Sequence, residues 1–236
     1  MKTVEQVVAR LKKLGSEQTR KTYARHGIDI PMFGVSVANL KVIAREIRGD
    51  QALAMQLYKT GNYDAMYLAG IVADGKKMSK KELDGWAKTA KCTALCAYPV
   101  VWMATESQFA HELAMKWIKS PNERIAVSGW GTYSGIVATR SDEELDLKEI
   151  ESLLNKIVAK IHKAPNRVRH MMNAFVIAVG SYVAPLIREA KQAAKKIGTV
   201  NVDMGDTACQ VPQALAYIEK IEKMGRVGKK RKTMKC

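Results

Sequence analysis

The stretch SVANLKVIAREIRGDQALAMQLYKTGNYDAMYLAGIVAD, residues 36–74, decides the fold. Ser36, Asp50 and Asn62 are residue types whose side-chain oxygen accepts a first-turn backbone N–H, and each precedes a run of helical spacing. After Ser36, the residues Leu40, Ile43, Ala44 and Ile47 fall on one face. The helix opened by Asp50 stops near Gly61, and the one opened by Asn62 runs to about Asp74.

The same grammar extends in both directions. Upstream, Val4, Val7, Val8 and Leu11 share a face, Ser16 begins a helix to about Arg25, and GIDIPMFGV (27–35) reads as a loop. Downstream, Ser79 and Glu82 have the spacing of a capping box. Helices are then predicted at about 92–104, 106–119, 121–139, 146–161, 166–182 and 184–197, with Pro121 well placed for a helix start. Helices of this length with short connections predict an all-α fold, a solenoid of antiparallel helix pairs. No strict repeat is visible, so a compact bundle is the alternative.

One segment breaks the pattern. In GTVNVDMGDTACQVP (198–212), Val200 and Val202 alternate with Asn201 and Asp203, and Met204 leads into a Gly205–Asp206 turn signal. This predicts a short β-hairpin at about 199–211, with a long structured loop as the plainer alternative. A last helix follows from Pro212 to about Met224. The division expected is one domain over 1–225 and a flexible basic tail over 226–236.

Composition sets the class of partner. The 236 residues hold 39 Lys and Arg against 23 Asp and Glu, a net charge of +16, yet 47% are hydrophobic. That excludes a disordered polycation and leaves a folded protein whose field favours polyanions: DNA, RNA or an acidic membrane surface. The last eleven residues, RVGKKRKTMKC, hold six basic residues and no acidic one, so most of the excess belongs to the fold. No apolar run is long enough to span a bilayer, and the N-terminus lacks a secretion signal, so a cytoplasmic, nucleoid-associated protein is expected. The 4 cysteines have no framework spacing, and Cys92 and Cys96, with no histidine near, read as buried thiols rather than a metal site.

Three stretches carry a resemblance. RKTYARHGI–PMFGVSVANLKVIAREI (20–47), LAMQLYKTGNYDAMYLAGIVAD (53–74) and ELDGWAKTAKCTALCA (82–97) resemble the HEAT-like repeat DNA glycosylases of the AlkC/AlkD type, and the similarity runs to about residue 197. The resemblance implies HEAT-like repeats in an ARM-like superhelix whose concave basic face holds duplex DNA. Active members of the family release cationic alkylated purines, which requires a carboxylate beside the developing sugar cation and aromatic faces for the cationic base. They supply these from a Ser-Trp-Asp-x-x-Asp segment. The matching stretch here is Cys92–Ala97, where the aromatic is Thr93 and the acids are Ala94 and Ala97. A methyl group cannot stabilise a cation. Arg124 matches a backbone-contacting arginine of the family, whereas 166–182 carries no tryptophan, Phe175 being a partial substitute. Retained basic residues with a lost acid resemble the non-catalytic AlkF/AlkG-like branch, which implies binding of branched DNA, such as a Holliday junction.

The candidate DNA contacts are Arg20, Lys21, Tyr23, Arg25, Lys76, Lys77, Arg124, Lys163, Arg167, Arg169 and His170. They sit at helix ends, where backbone N–H groups also bind phosphate, and a scattered solvated surface is the alternative. Lys163, Arg167, Arg169 and His170 surround a helix start and read as a phosphate clamp. Trp86, Trp102, Trp117 and Trp130 read as core, Gly129, Gly131 and Gly135 as close helix packing, and DEELDLKEIE (142–151) as a convex acidic edge. The expectation is a monomer that binds branched or distorted DNA without cofactor or metal and without glycosylase activity, the hairpin probing the branch. The runner-up is an active glycosylase with a displaced acid, Asp64, Asp84 or Glu123. An RNA-binding or protein-binding scaffold is the third possibility.

Overall fold

The computed structural model describes residues 2–235, and every regular element among them is helical. Where a single domain is expected, the chain packs as two compact units. One holds residues 2–109, 205–207 and 235, and the other 110–204 and 208–234.

The first unit contains α1 (Val4–Leu14), α2 (Glu17–Arg25), α3 (Val37–Glu46), α4 (Gln51–Lys59), α5 (Tyr63–Val72) and α6 (Lys80–Thr89). After these come α7 (Thr93–Leu95), a π-helical turn (Cys96–Val100) and α8 (Val101–Glu106). Ser36, Asp50 and Asn62 cap as their chemistry requires, accepting from the N–H groups of Asn39, Leu53 and Ala65. The Ser79–Glu82 capping box forms in both directions. Each such cap contributes about 1 kcal/mol and sets where its helix begins.

Leu40, Ile43, Leu53, Leu57, Leu68 and Leu83 are buried together as the core of this unit. Asp64 lies inside it, fully buried, and its carboxylate accepts from the backbone N–H groups of Phe33 (2.6 Å), Gly34 (3.1 Å) and Val35 (2.8 Å). The loop before α3 thus has its donors satisfied by one acid from α5. Pro99 lacks an N–H and sits in the π turn, whose wider ladder admits its ring. Gly70 of α5 makes room for it, since a Cβ there would stand 2.6 Å from the Pro99 Cβ.

The second unit contains α9 (Ala110–Ile118), α10 (Glu123–Thr139), α11 (Leu147–Lys160), α12 (Asn166–Tyr182), α13 (Ile187–Ile197) and α14 (Ala214–Lys223). The helices pair in sequence, α9 with α10, α11 with α12 and α13 with α14, and α10 lies against α12 as α11 lies against α13. This is stacking of helix pairs. Gly129 brings α10 onto the end of α9, where a Cβ would stand 2.4 Å from the Ile118 nitrogen. Trp130 and Tyr133 of α10 meet Phe175 of α12 edge-on, with centroids 5.4 and 5.5 Å apart. All four tryptophans are buried, as are Cys92 and Cys96.

The predicted β-hairpin is not formed. Residues 199–213 contain no strand, and backbone groups of Asp203 and Pro212 are bonded elsewhere. The Asn166 amide donates to the Asp203 carbonyl (2.8 Å) and accepts from the Asp203 N–H (2.8 Å), the two groups a ladder partner would take. Asn173 donates to the Pro212 carbonyl (2.9 Å). The turn at Gly205 closes with a Thr207 N–H to Gly205 carbonyl bond rather than a two-residue hairpin turn. In the first unit, Gly205 (φ +75) lies against the Arg25 carbonyl, where a Cβ would be 2.6 Å away.

The expected flexible tail is also fastened, over its described residues. In the second unit the Gly228 N–H donates to the Ser181 carbonyl at the end of α12 (3.0 Å), and the Arg231 N–H to the Ala138 carbonyl at the end of α10 (2.7 Å). Lys230 donates to the Val137 carbonyl (3.0 Å) and pairs with Asp142 (2.7 Å). In the first unit Lys235 donates to the Ala73 carbonyl after α5 (2.6 Å) and pairs with Glu106. Helix C-termini leave carbonyls without intrahelical donors, and this segment supplies donors and positive charge there. Cys236 lies outside the described residues. No single helix among those described is long and apolar enough to cross a membrane.

Candidate nucleic-acid interface

The two units hold separate groups of candidate residues. In the first, Arg20, Lys21, Tyr23 and Arg25 lie on α2, and Lys76 and Lys77 on a 3-10 turn (Gly75–Lys77) that Asp74 caps. Lys21, Arg25, Lys76 and Lys77 are exposed. Arg20 pairs with Glu17 (3.1 Å), and its stem covers Gly34. Tyr23 is half-buried, its hydroxyl donates to the Val35 carbonyl (2.9 Å), and its ring meets Tyr63 edge-on. Burial, then the Asp64 charge, pushes its phenol up. Tyr23 therefore holds the loop in place.

Thr93, Ala94 and Ala97 are half-buried on α7 and the π turn. Beside them the Tyr98 ring is 47% exposed and leans on Tyr67 and Trp102. None of the alternative acids stands free to replace the missing carboxylate. Asp64 is enclosed by three backbone donors. Asp84 is largely buried beside Lys88 at 3.6 Å. Glu123, in the second unit, accepts from the Arg167 N–H at 2.6 Å.

In the second unit the structure gathers Arg167, Arg169 and His170 in the opening turns of α12, with Lys163 exposed on the 3-10 turn before it (Ile161–Lys163) and Arg124 exposed in the first turn of α10. This group differs from a simple open phosphate clamp. The Arg167 N–H is already held by Glu123, as a helix N-terminus favours a carboxylate. The Arg167 and Arg169 side chains are half-buried. Arg167 reaches the Met204 sulfur (3.3 Å) and Arg169 the side-chain Oδ1 of Asn166 (3.3 Å). Burial, then the Arg167 charge, lowers the pKa of His170. Of the segment expected as a hairpin, Asp203 and Met204 meet this group, Val200 is buried and Asn201 is exposed. Phe175 is fully buried and belongs to the core rather than to a base-facing pocket. In the acidic stretch, Glu149 is half-buried and bonded to His111 and Tyr133, while Glu143 and Glu144 are exposed.

Sequence reasoning did not single out Asn166 as the anchor of residue 203, nor Tyr98. A Tyr-Pro step inside a helical pattern is the signal that marks Tyr98. Nothing local marks the partner of Asn166.

A sequence model of the DNA alkylation repair enzyme family matches residues 7–196, and the chain belongs to that family. The protein is similar along its whole length, with a TM-score of 0.91 and 36% identity, to a solved structure described as a new family of proteins related to the HEAT-like repeat DNA glycosylases with affinity for branched DNA structures; 100% of each chain is covered. It is also 29% identical over 225 residues to uncharacterised proteins of Listeria innocua and Listeria monocytogenes, covering 93% of this chain and 97% of each relative.

Proposed function

We propose that this protein binds branched or distorted DNA and does not excise bases. The observation that carries the reading is the absence of an available acid at Cys92–Ala97 in a chain that keeps its exposed cations. Ala94 and Ala97 offer methyl groups where the chemistry needs a carboxylate, Asp64 and Glu123 are held by backbone N–H groups, and Asp84 is largely buried beside Lys88. Whole-length likeness to a protein with affinity for branched DNA supports the choice of ligand. The exposed Arg124, Lys163, Lys21, Arg25, Lys76 and Lys77 would take phosphates, while in the second unit Arg167 reaches the Met204 sulfur. We place the protein on the cytoplasmic nucleoid as a monomer that uses neither metal nor cofactor.

The test is binding to a four-way junction and to a linear duplex of equal length, at about 0.15 M salt so that screening removes the weakest contacts. A junction preference of about tenfold or more, equivalent to about 1.4 kcal/mol, is expected. Incubation with methylated duplex DNA is expected to release no base. Base release abolished by a substitution at Asp64, Asp84 or Glu123 would establish the glycosylase instead, the activity that the family description names.

A further inference from the structure

The C-terminal strap of the second unit is built to display charge. Around Lys230 successive side chains face opposite ways. Lys230 turns inward to Asp142 and to the end of α10, while Lys229 and Arg231 on either side are exposed. Arg226 and Lys232 are exposed as well. One lysine is spent on fastening, and four cations are left facing water. A merely solubilising tail has no need of backbone bonds to two helix ends, yet Gly228 and Arg231 make them.

Position gives this charge a meaning. α10 and α12 run side by side in the same direction. Their starts are joined by the Glu123–Arg167 bond, and their ends by the strap. Each has 17 residues, so the strap lies about 25 Å from Arg124 and Arg167, at 1.5 Å per residue. Cations therefore occur at both ends of one rigid helix pair. The acidic neighbours of the strap include Asp142, neutralised by Lys230, Glu222, paired with Lys191, and the exposed Glu143 and Glu144, of which Glu144 is folded back onto the Ser141 N–H and hydroxyl.

We infer that Arg226, Lys229, Arg231 and Lys232 form a second phosphate-binding surface, which grips a separate duplex arm while the α10 and α12 starts hold the first. This rests on the branched-DNA reading above and deepens it. It assigns the second arm to named residues at the far end of the helix pair. Fastening matters because cations already held in place lose less freedom on binding than those of a loose tail.

The test replaces all four with glutamine (Arg226→Gln, Lys229→Gln, Arg231→Gln, Lys232→Gln) and leaves Lys230 to hold the strap. Affinity is titrated against salt for the native and altered proteins, on an immobile four-way junction and on a short duplex copied from one arm. Each phosphate that a cation neutralises adds about 0.9 to the steepness of log K against log salt. On the junction the slope is expected to shrink by about 2 to 3 and affinity to fall at least tenfold, with the duplex values unchanged. An unchanged junction slope overturns the inference and makes the strap a solvated face. An equal loss on the short duplex overturns it too, since both surfaces would then serve one arm. A native protein that binds both DNAs equally would defeat the branched-DNA reading, while the native-to-variant difference on the junction still decides the strap.

Discussion

Replacing Asp64 with asparagine tests the account of the first unit most directly. The native carboxylate is fully buried and serves three backbone donors, at Phe33, Gly34 and Val35. Asparagine keeps the shape but has one acceptor oxygen. In its better orientation that oxygen serves Phe33 and Gly34, and the amide nitrogen then faces the Val35 N–H, donor against donor. One bond to a charged group, about 1.5–3 kcal/mol, disappears, and a buried N–H is left unsatisfied at a further cost of about 1–3 kcal/mol. Loop relaxation recovers part of this, so a loss of about 3–4 kcal/mol is expected for the unit that contains Asp64. Total stabilities of about 5–15 kcal/mol make that a large effect. Equilibrium urea denaturation measures it, followed by the Tyr58–Trp86 stack, whose rings lie 3.7 Å apart in this unit. A loss under about 1 kcal/mol would refute the structural role. Base-release activity that vanished in the variant at unchanged stability would refute it more decisively and return Asp64 to catalysis.

Four other outcomes are expected. Gly129→Ala drives a methyl into the Ile118 and Trp117 backbone and should cost at least about 1–3 kcal/mol in thermal unfolding, whereas Gly85→Ala on α6, with open space around its Cβ position, should stabilise by about 0.5–1 kcal/mol. Asn166→Ala removes both bonds to Asp203, so amide exchange at Asp203 should accelerate while the α12 core stays protected. His170 has its folded pKa lowered, so the unfolded chain binds its proton first. The stability this contributes is full above the ordinary value of about 6.5 and is lost as pH falls through the lowered one, and His170→Gln should flatten stability over that window.

What the amino-acid order reveals here is what acts over a few residues. Ser36, Asp50, Asn62 and Ser79 cap helices through partners three positions on, so their helices are legible without tertiary knowledge. The loss of a carboxylate at Ala94 and Ala97 is equally visible, because a residue type alone decides it. The errors come from distant partners. The 199–211 pattern has the alternation of a hairpin, but Asn166 and Asn173, 37 and 39 residues away from their partners, take backbone groups that a ladder would use. The start of α12 looks like an open anion site until Glu123, 44 residues earlier, is found on it. A run of lysines signals solubility or polyanions, and nothing in it announces that helix-end carbonyls are waiting for Lys230 and Arg231.

The strap also sets an order of events during folding. Lys230 meets Val137 across 93 residues of chain, and Lys235 meets Ala73 across 162. Such distant contacts form late, after the elements they join. Until then the carbonyls at the ends of α5 and α10 must be satisfied by water. Docking of this segment, rather than formation of the helices, therefore completes each unit, and losing its contacts would leave every helix formed and the ends of α5 and α10 open to water.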